Sequence, residues 1–145
     1  MRIILQAIVF TIITTAFARA QPSPAGQWLT EDGGGVIEVA ACGNALCGRI
    51  VGMAEPVLPD GRTPVDYAGQ PKCGLTILRD AVESDPGVWT GRITNPEDGS
   101  VWHCTLSVDE EGRLHLRGYV LVPLLGRTQI WRPYTGSIGP GCRMG

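Results

Sequence analysis

The clearest signal along the chain is a period of two. Between residues 101 and 108, Trp102, Cys104, Leu106 and Val108 alternate with Val101, His103, Thr105 and Ser107. From residue 113 onward, Leu114, Leu116, Gly118 and Val120 alternate with Arg113, His115, Arg117 and Tyr119. Successive side chains of a strand point to opposite faces, so each run predicts a strand with two unlike faces. Alternation leaves open which face lines an interior. Further strands are predicted over residues 26–29, 36–40, 48–51, 88–94 and 126–132, while residues 75–78 read as a short strand or a helical turn. Turn residues punctuate them: Glu31-Asp32-Gly33-Gly34-Gly35, Asn95-Pro96-Glu97-Asp98-Gly99 and Asp109-Glu110-Glu111-Gly112. Residues 55–72 carry four prolines and read as a long loop. No segment sustains a helical period. The pattern predicts an all-β antiparallel meander that closes into a barrel or sandwich.

The first twenty residues stand apart. Arg2 precedes a mostly apolar run, Ile3 to Phe17, and Ala18-Arg19-Ala20 places small residues where a signal peptidase reads. Residues 1–20 are therefore predicted to be a secretory signal peptide cleaved before Gln21, leaving residues 21–145 as one domain. The apolar run is shorter than the roughly 20 residues that span a bilayer, so no membrane span is expected after cleavage. Composition narrows the function classes. With 12 basic and 14 acidic side chains and a net charge of −2, the chain lacks the basic surplus of a nucleic-acid binder. At 43% hydrophobic and 18% charged residues it is too apolar to be disordered.

Export gives the five cysteines a disulfide reading. Cys42 and Cys47 flank the turn dipeptide Gly43-Asn44, close enough for a bridge. Cys73 and Cys104 are expected to form the second bridge, with Cys142 free near the C-terminus. A zinc site is not expected, because the short Cys spacing occurs once and has no partner pair.

Seven segments occur in order: Gly26-Gln27-Trp28, Leu46-Cys47-Gly48-Arg49-Ile50-Val51, Gly74-Leu75-Thr76-Ile77-Leu78, Trp89-Thr90-Gly91-Arg92-Ile93, Asn95-Pro96-Glu97-Asp98-Gly99, Leu114-His115-Leu116-Arg117-Gly118-Tyr119 and Gly126-Arg127-Thr128-Gln129-Ile130-Trp131. Together they resemble the exported bacterial family called domain of unknown function 2147. The resemblance implies a small lipocalin-like antiparallel β-barrel of about eight strands, located in the periplasm or secreted. It implies no established activity. Members usually carry an Asp-Asn-Pro stretch and an Arg-Pro pair before the Gly-Leu. Here Asp66 remains, but the loop through Lys72 is shorter and lacks that Arg. Gly26-x-Trp28 is also similar to the first-strand signature of lipocalins. That likeness implies that Trp28 plugs the barrel base under an Arg from the last strand, Arg132 or Arg127.

Catalytic constellations are not found. His103 and His115 stand singly in strands, there is no Gly-x-Ser-x-Gly, the acidic pairs lie in turns, and the glycine run at 33–35 lacks the Lys of a phosphate loop. No cofactor or metal is expected, and the chain is not expected to be an enzyme. The expected partner is a small amphipathic ligand held in the barrel. Trp89, Trp102, Trp131 and Tyr119 are the candidate wall, with Arg117 or Arg92 as an anchor for an anionic head group. The alternative is a structural or interaction module of the cell envelope whose barrel its own side chains fill.

Overall fold

The computed structural model describes residues 22–120 and 126–145, so the predicted signal peptide lies outside the described residues. Eight strands follow one another in an antiparallel meander: β1 (Gly26–Leu29), β2 (Gly35–Cys42), β3 (Ala45–Met53), β4 (Thr76–Asp85), β5 (Val88–Thr94), β6 (Val101–Val108), β7 (Leu114–Tyr119) and β8 (Arg127–Pro133). Each pairs with its chain neighbour, and β8 returns to β1 through Trp28↔Pro133 and Leu29↔Arg132, which closes the barrel. A short tail follows: β9 (Ile138–Gly139), a 3-10 turn (Pro140–Cys142) and β10 (Arg143–Met144).

The apolar set of each alternating strand faces inward. Cys104, Leu106 and Leu114 are fully buried, as are Leu116 of β7 and Trp131 of β8 to within a few per cent. Their neighbours His103, Thr105, His115 and Arg117 therefore fall on the outer surface by the pleat. The question that alternation left open is answered by closure: the aromatic-aliphatic face is inside.

Strand β4 is longer than the predicted residues 75–78. Its pattern is broken by a bulge at Asp80, which has φ 55° and around which the register with β5 shifts. Leu78 and Ala81, three residues apart, both reach the core as a result. An irregular spacing of this kind hides a strand from a period-two reading.

Trp28 is buried in the core at the end where the chain enters the barrel. Its indole N–H donates to the Pro24 carbonyl at 2.8 Å, and Pro24 is itself fully buried. Gly26, with φ 141°, lies between the two in a backbone conformation that favours glycine. The arginine expected across the indole is not there. Trp131 points inward, so Arg132, next in the chain, points outward and is exposed beside Leu29. Arg127 lies at the other end of β8.

The second disulfide also differs from the expected pair. Cys42 and Cys47 are bridged across the β2–β3 turn with Cα atoms 5.7 Å apart. Cys73, however, joins Cys142, again at 5.7 Å, and Cys104 is the free thiol. Cys104 sits mid-strand on the inner face between Gly91 and Gly118, fully buried in the barrel core. The C-terminus is not loose. Strand β3 separates from β4 beyond Arg49↔Thr76, and β10 takes the vacated edge by pairing in parallel at Arg143↔Met53. Gly52 is what allows this. A Cβ there would stand 2.8 Å from Ile138 Cδ1 and 2.9 Å from Val36 Cβ.

Candidate functional site: the barrel cavity

The two ends of the barrel are unlike. At the end closed by Trp28, the side chains of Val39, Leu78, Leu106 and Leu114 fill the interior. At the opposite end, reached by the β1–β2, β3–β4, β5–β6 and β7–β8 connections, a cavity of about 770 Å³ remains. Ile37, Ile50, Ile77, Ile93, Leu116 and Trp131 give it an apolar floor and wall. Its rim is polar and carries Asp32, Glu55, Lys72, Glu97 and Arg127. Among the described residues no buried side-chain nitrogen or oxygen lacks a hydrogen-bond partner, so nothing polar is left unsatisfied in the depth of the barrel.

The long loop between β3 and β4 forms part of the rim through Glu55, Leu58, Pro64 and Lys72. It is tied to the β5–β6 hairpin. The Tyr67 N–H donates to the Pro96 carbonyl at 2.9 Å, and the Lys72 ammonium forms an ion pair with Glu97. Asp66 shapes the loop by accepting the backbone N–H groups of Ala68 and Gln70 at 2.9 and 2.8 Å. Across the mouth, Asp32 accepts the Thr30 hydroxyl at 2.7 Å and the Gly34 N–H at 2.9 Å. The hydroxyl first, and then the backbone donor, hold its carboxyl below the usual carboxylate range.

Two of the four predicted wall residues line the cavity, and the other two and both candidate anchors do not. Trp102 lies at the mouth, 37% exposed, its indole N–H donating to Ser100 Oγ at 3.1 Å. Trp131 lies deeper, donating to Gln129 Oε1 at 2.8 Å. Trp89 packs half-buried on the core and is not part of the lining. Arg117 and Tyr119 are on the outer face. Arg117 donates to Thr128 Oγ1 at 2.8 Å, and Tyr119 stacks on His103 with ring centroids 5.7 Å apart. Arg92 is outside too, in an ion pair with Asp80. The reason is one of parity: with Leu116 and Ile93 inward, Arg117 and Arg92 must point out.

Among the lining residues that sequence reasoning did not place on the cavity are Gln129 and Arg127, the latter named only as a cation over Trp28. They share the parity of Trp131, so alternation along β8 contained the signal once Trp131 was known to face inward. The lining residues of the long loop left no such trace, because a loop has no period.

Cys104 lies in the barrel wall below the cavity and is not among its lining residues. Burial pushes its thiol up to about 12, so it is present as the unreactive thiol. Native oxidised protein is expected not to react with a thiol reagent at mildly alkaline pH. Denatured protein should release one thiol per chain, mapping to Cys104. A label on Cys142 would contradict the observed pairing. Among the described residues no three His, Cys, Asp or Glu side chains converge as a metal site.

A closed eight-stranded meander with a buried Trp toward one end and a cavity at the other is a barrel of the lipocalin type. The chain belongs to the bacterial family described as uncharacterized protein conserved in bacteria (DUF2147), whose model matches residues 26–132. Among solved structures it is similar to protein HP1028 from Helicobacter pylori, described as belonging to the lipocalin family. The TM-score is 0.62 at 14% identity, covering 78% of this chain and 84% of that one. No curated protein matched. The two disulfides and the bacterial family fit an exported protein. No helix among the described residues is long and apolar enough to cross a membrane.

Proposed function

We propose that this protein is a periplasmic binding protein that holds a small apolar or amphipathic molecule in the open end of its barrel. The observation that carries this reading is the cavity itself: about 770 Å³ with an aliphatic and indole floor beneath a charged rim. That volume lies within the range of small-molecule sites, and burying apolar ligand surface contributes about 25 cal/mol per Å². Binding rather than catalysis fits the lining. Its titratable groups are Asp32, Glu55, Lys72, Glu97 and Arg127, and Asp32, Lys72 and Glu97 are already engaged with protein partners. Neither histidine lines the cavity.

Trp102 and Trp131 make the test direct, because both line the cavity. Titration with a panel of single-chain amphiphiles and hydrocarbons is expected to change tryptophan emission saturably. Native mass spectrometry of protein purified from its own periplasm is expected to show a co-purifying mass. No emission change across the panel and no added mass would favour a structural module of the envelope instead.

A further inference from the structure

We propose that Arg127 is the head-group residue of this cavity. On this assignment the ligand is a single-chain amphiphile with an anionic oxygen head, carboxylate or phosphate, bound head-up at Arg127 and tail-down toward Leu116 and Trp131. The proposal rests on the binding function argued above and specifies its ligand.

Position comes first. Arg127 shares the inward parity of Gln129 and Trp131 on β8 and lines the cavity at its mouth. Its register partner on β7 is Gly118, which also lines the cavity. Gly118 has no side chain to fill the space beside the guanidinium. The nearest atoms to a Cβ built there are Trp102 Cβ and the His103 carbonyl oxygen, both 4.0 Å away. The Gly118 position is therefore uncrowded beside the register position of Arg127, and Leu116 and Trp131 continue the lining deeper in the barrel.

Charge comes second. Lys72, the other cation of the lining, is held by Glu97. Arg127 has no hydrogen bond or ion pair among the described residues. Guanidinium is suited to two-pronged recognition of carboxylate and phosphate oxygens, and such bonds survive at a partly hydrated rim better than neutral ones. The gradient from charged rim to aliphatic floor then fixes direction, since an inverted ligand would lose the burial of its chain. The outward cations Arg92 and Arg117 cannot play this part. Glu55, on the long loop, also lines the mouth and would favour a cationic head instead. The experiment is built to separate the two.

Oxidised protein is titrated by tryptophan emission with dodecanoate, dodecyl phosphate, dodecanol and dodecyltrimethylammonium, each below its micelle concentration. Arg127→Gln is compared with Arg132→Gln, a control on the outer face of the same strand. The unsubstituted protein and Arg132→Gln are expected to prefer one or both anions over dodecanol by about tenfold or more. Arg127→Gln is expected to erase that preference while leaving dodecanol affinity within about twofold. Which anion binds more tightly distinguishes the carboxylate from the phosphate source. Equal binding of dodecanol and the anions overturns the anchor but leaves the binding function standing, and so does a preference that survives in Arg127→Gln. Tightest binding of the trimethylammonium compound reverses the sign of the site and points to Glu55. Binding of none of the four overturns both readings.

Discussion

Trp28→Ala is expected to lower the unfolding free energy by about 3–5 kcal/mol, the range for truncating a buried aromatic. Trp28 is only 5% exposed and packs in the main core cluster. It also satisfies the carbonyl of Pro24, which is buried beside it and loses this partner when the indole is removed. The same residue lies at the closing seam of the barrel. Only two residue pairs join β1 to β8, and Trp28↔Pro133 is one of them. Urea unfolding of the oxidised protein measures the loss as a lower midpoint. Trp28→Phe separates the contributions: it retains most of the ring but removes the N–H, and should cost about 1–3 kcal/mol. A Trp28→Ala variant as stable as the parent would refute the plug.

Removing the Cys73–Cys142 bridge is expected to cost about 4 kcal/mol on the chain-entropy model, given its sequence separation of 69. The Cys42–Cys47 bridge, with a separation of 5, should contribute about half as much on the same model. The two double Cys→Ser variants can be compared directly by urea unfolding. A second readout is local. The tail from Ile138 to Met144 is held to β3 by a parallel pair and by contacts at Gly52, and to the β3–β4 connection by the bridge. Without the bridge, amide exchange should accelerate in that tail and at the end of β3 before the rest of the barrel opens. Equal costs for the two bridges, with no change in tail protection, would show that the long bridge does not pin the tail.

The alternation in β6 and β7 needed no structure to be seen. Trp102 to Val108 and Leu114 to Gly118 are period-two sequences whose turns, Asn95 to Gly99 and Asp109 to Gly112, are built from residues that favour turns. The Cys42–Cys47 bridge was legible for the same reason, because the two thiols are brought together by the turn between them. Strand β4 was only partly legible, since the bulge at Asp80 replaces a spacing of two by the spacing of three between Leu78 and Ala81.

What the sequence determined, then, was most of what is set by residues near one another in the chain: the regular strands, the turns, the hairpin disulfide and the two unlike faces of β6 and β7. Only the tertiary structure decided which face turned inward, placing Trp102 and Trp131 on the cavity and Arg117 and Tyr119 outside it. It alone paired Cys73 with Cys142, because the tail reaches the β3 edge only where β4 has separated from it. It also turned Arg132 away from Trp28 and brought Arg127 to the mouth. These outcomes depend on how a sheet curves and closes upon itself. Closure joins residues about a hundred positions apart, such as Trp28 and Pro133, and no local pattern records which of them will meet.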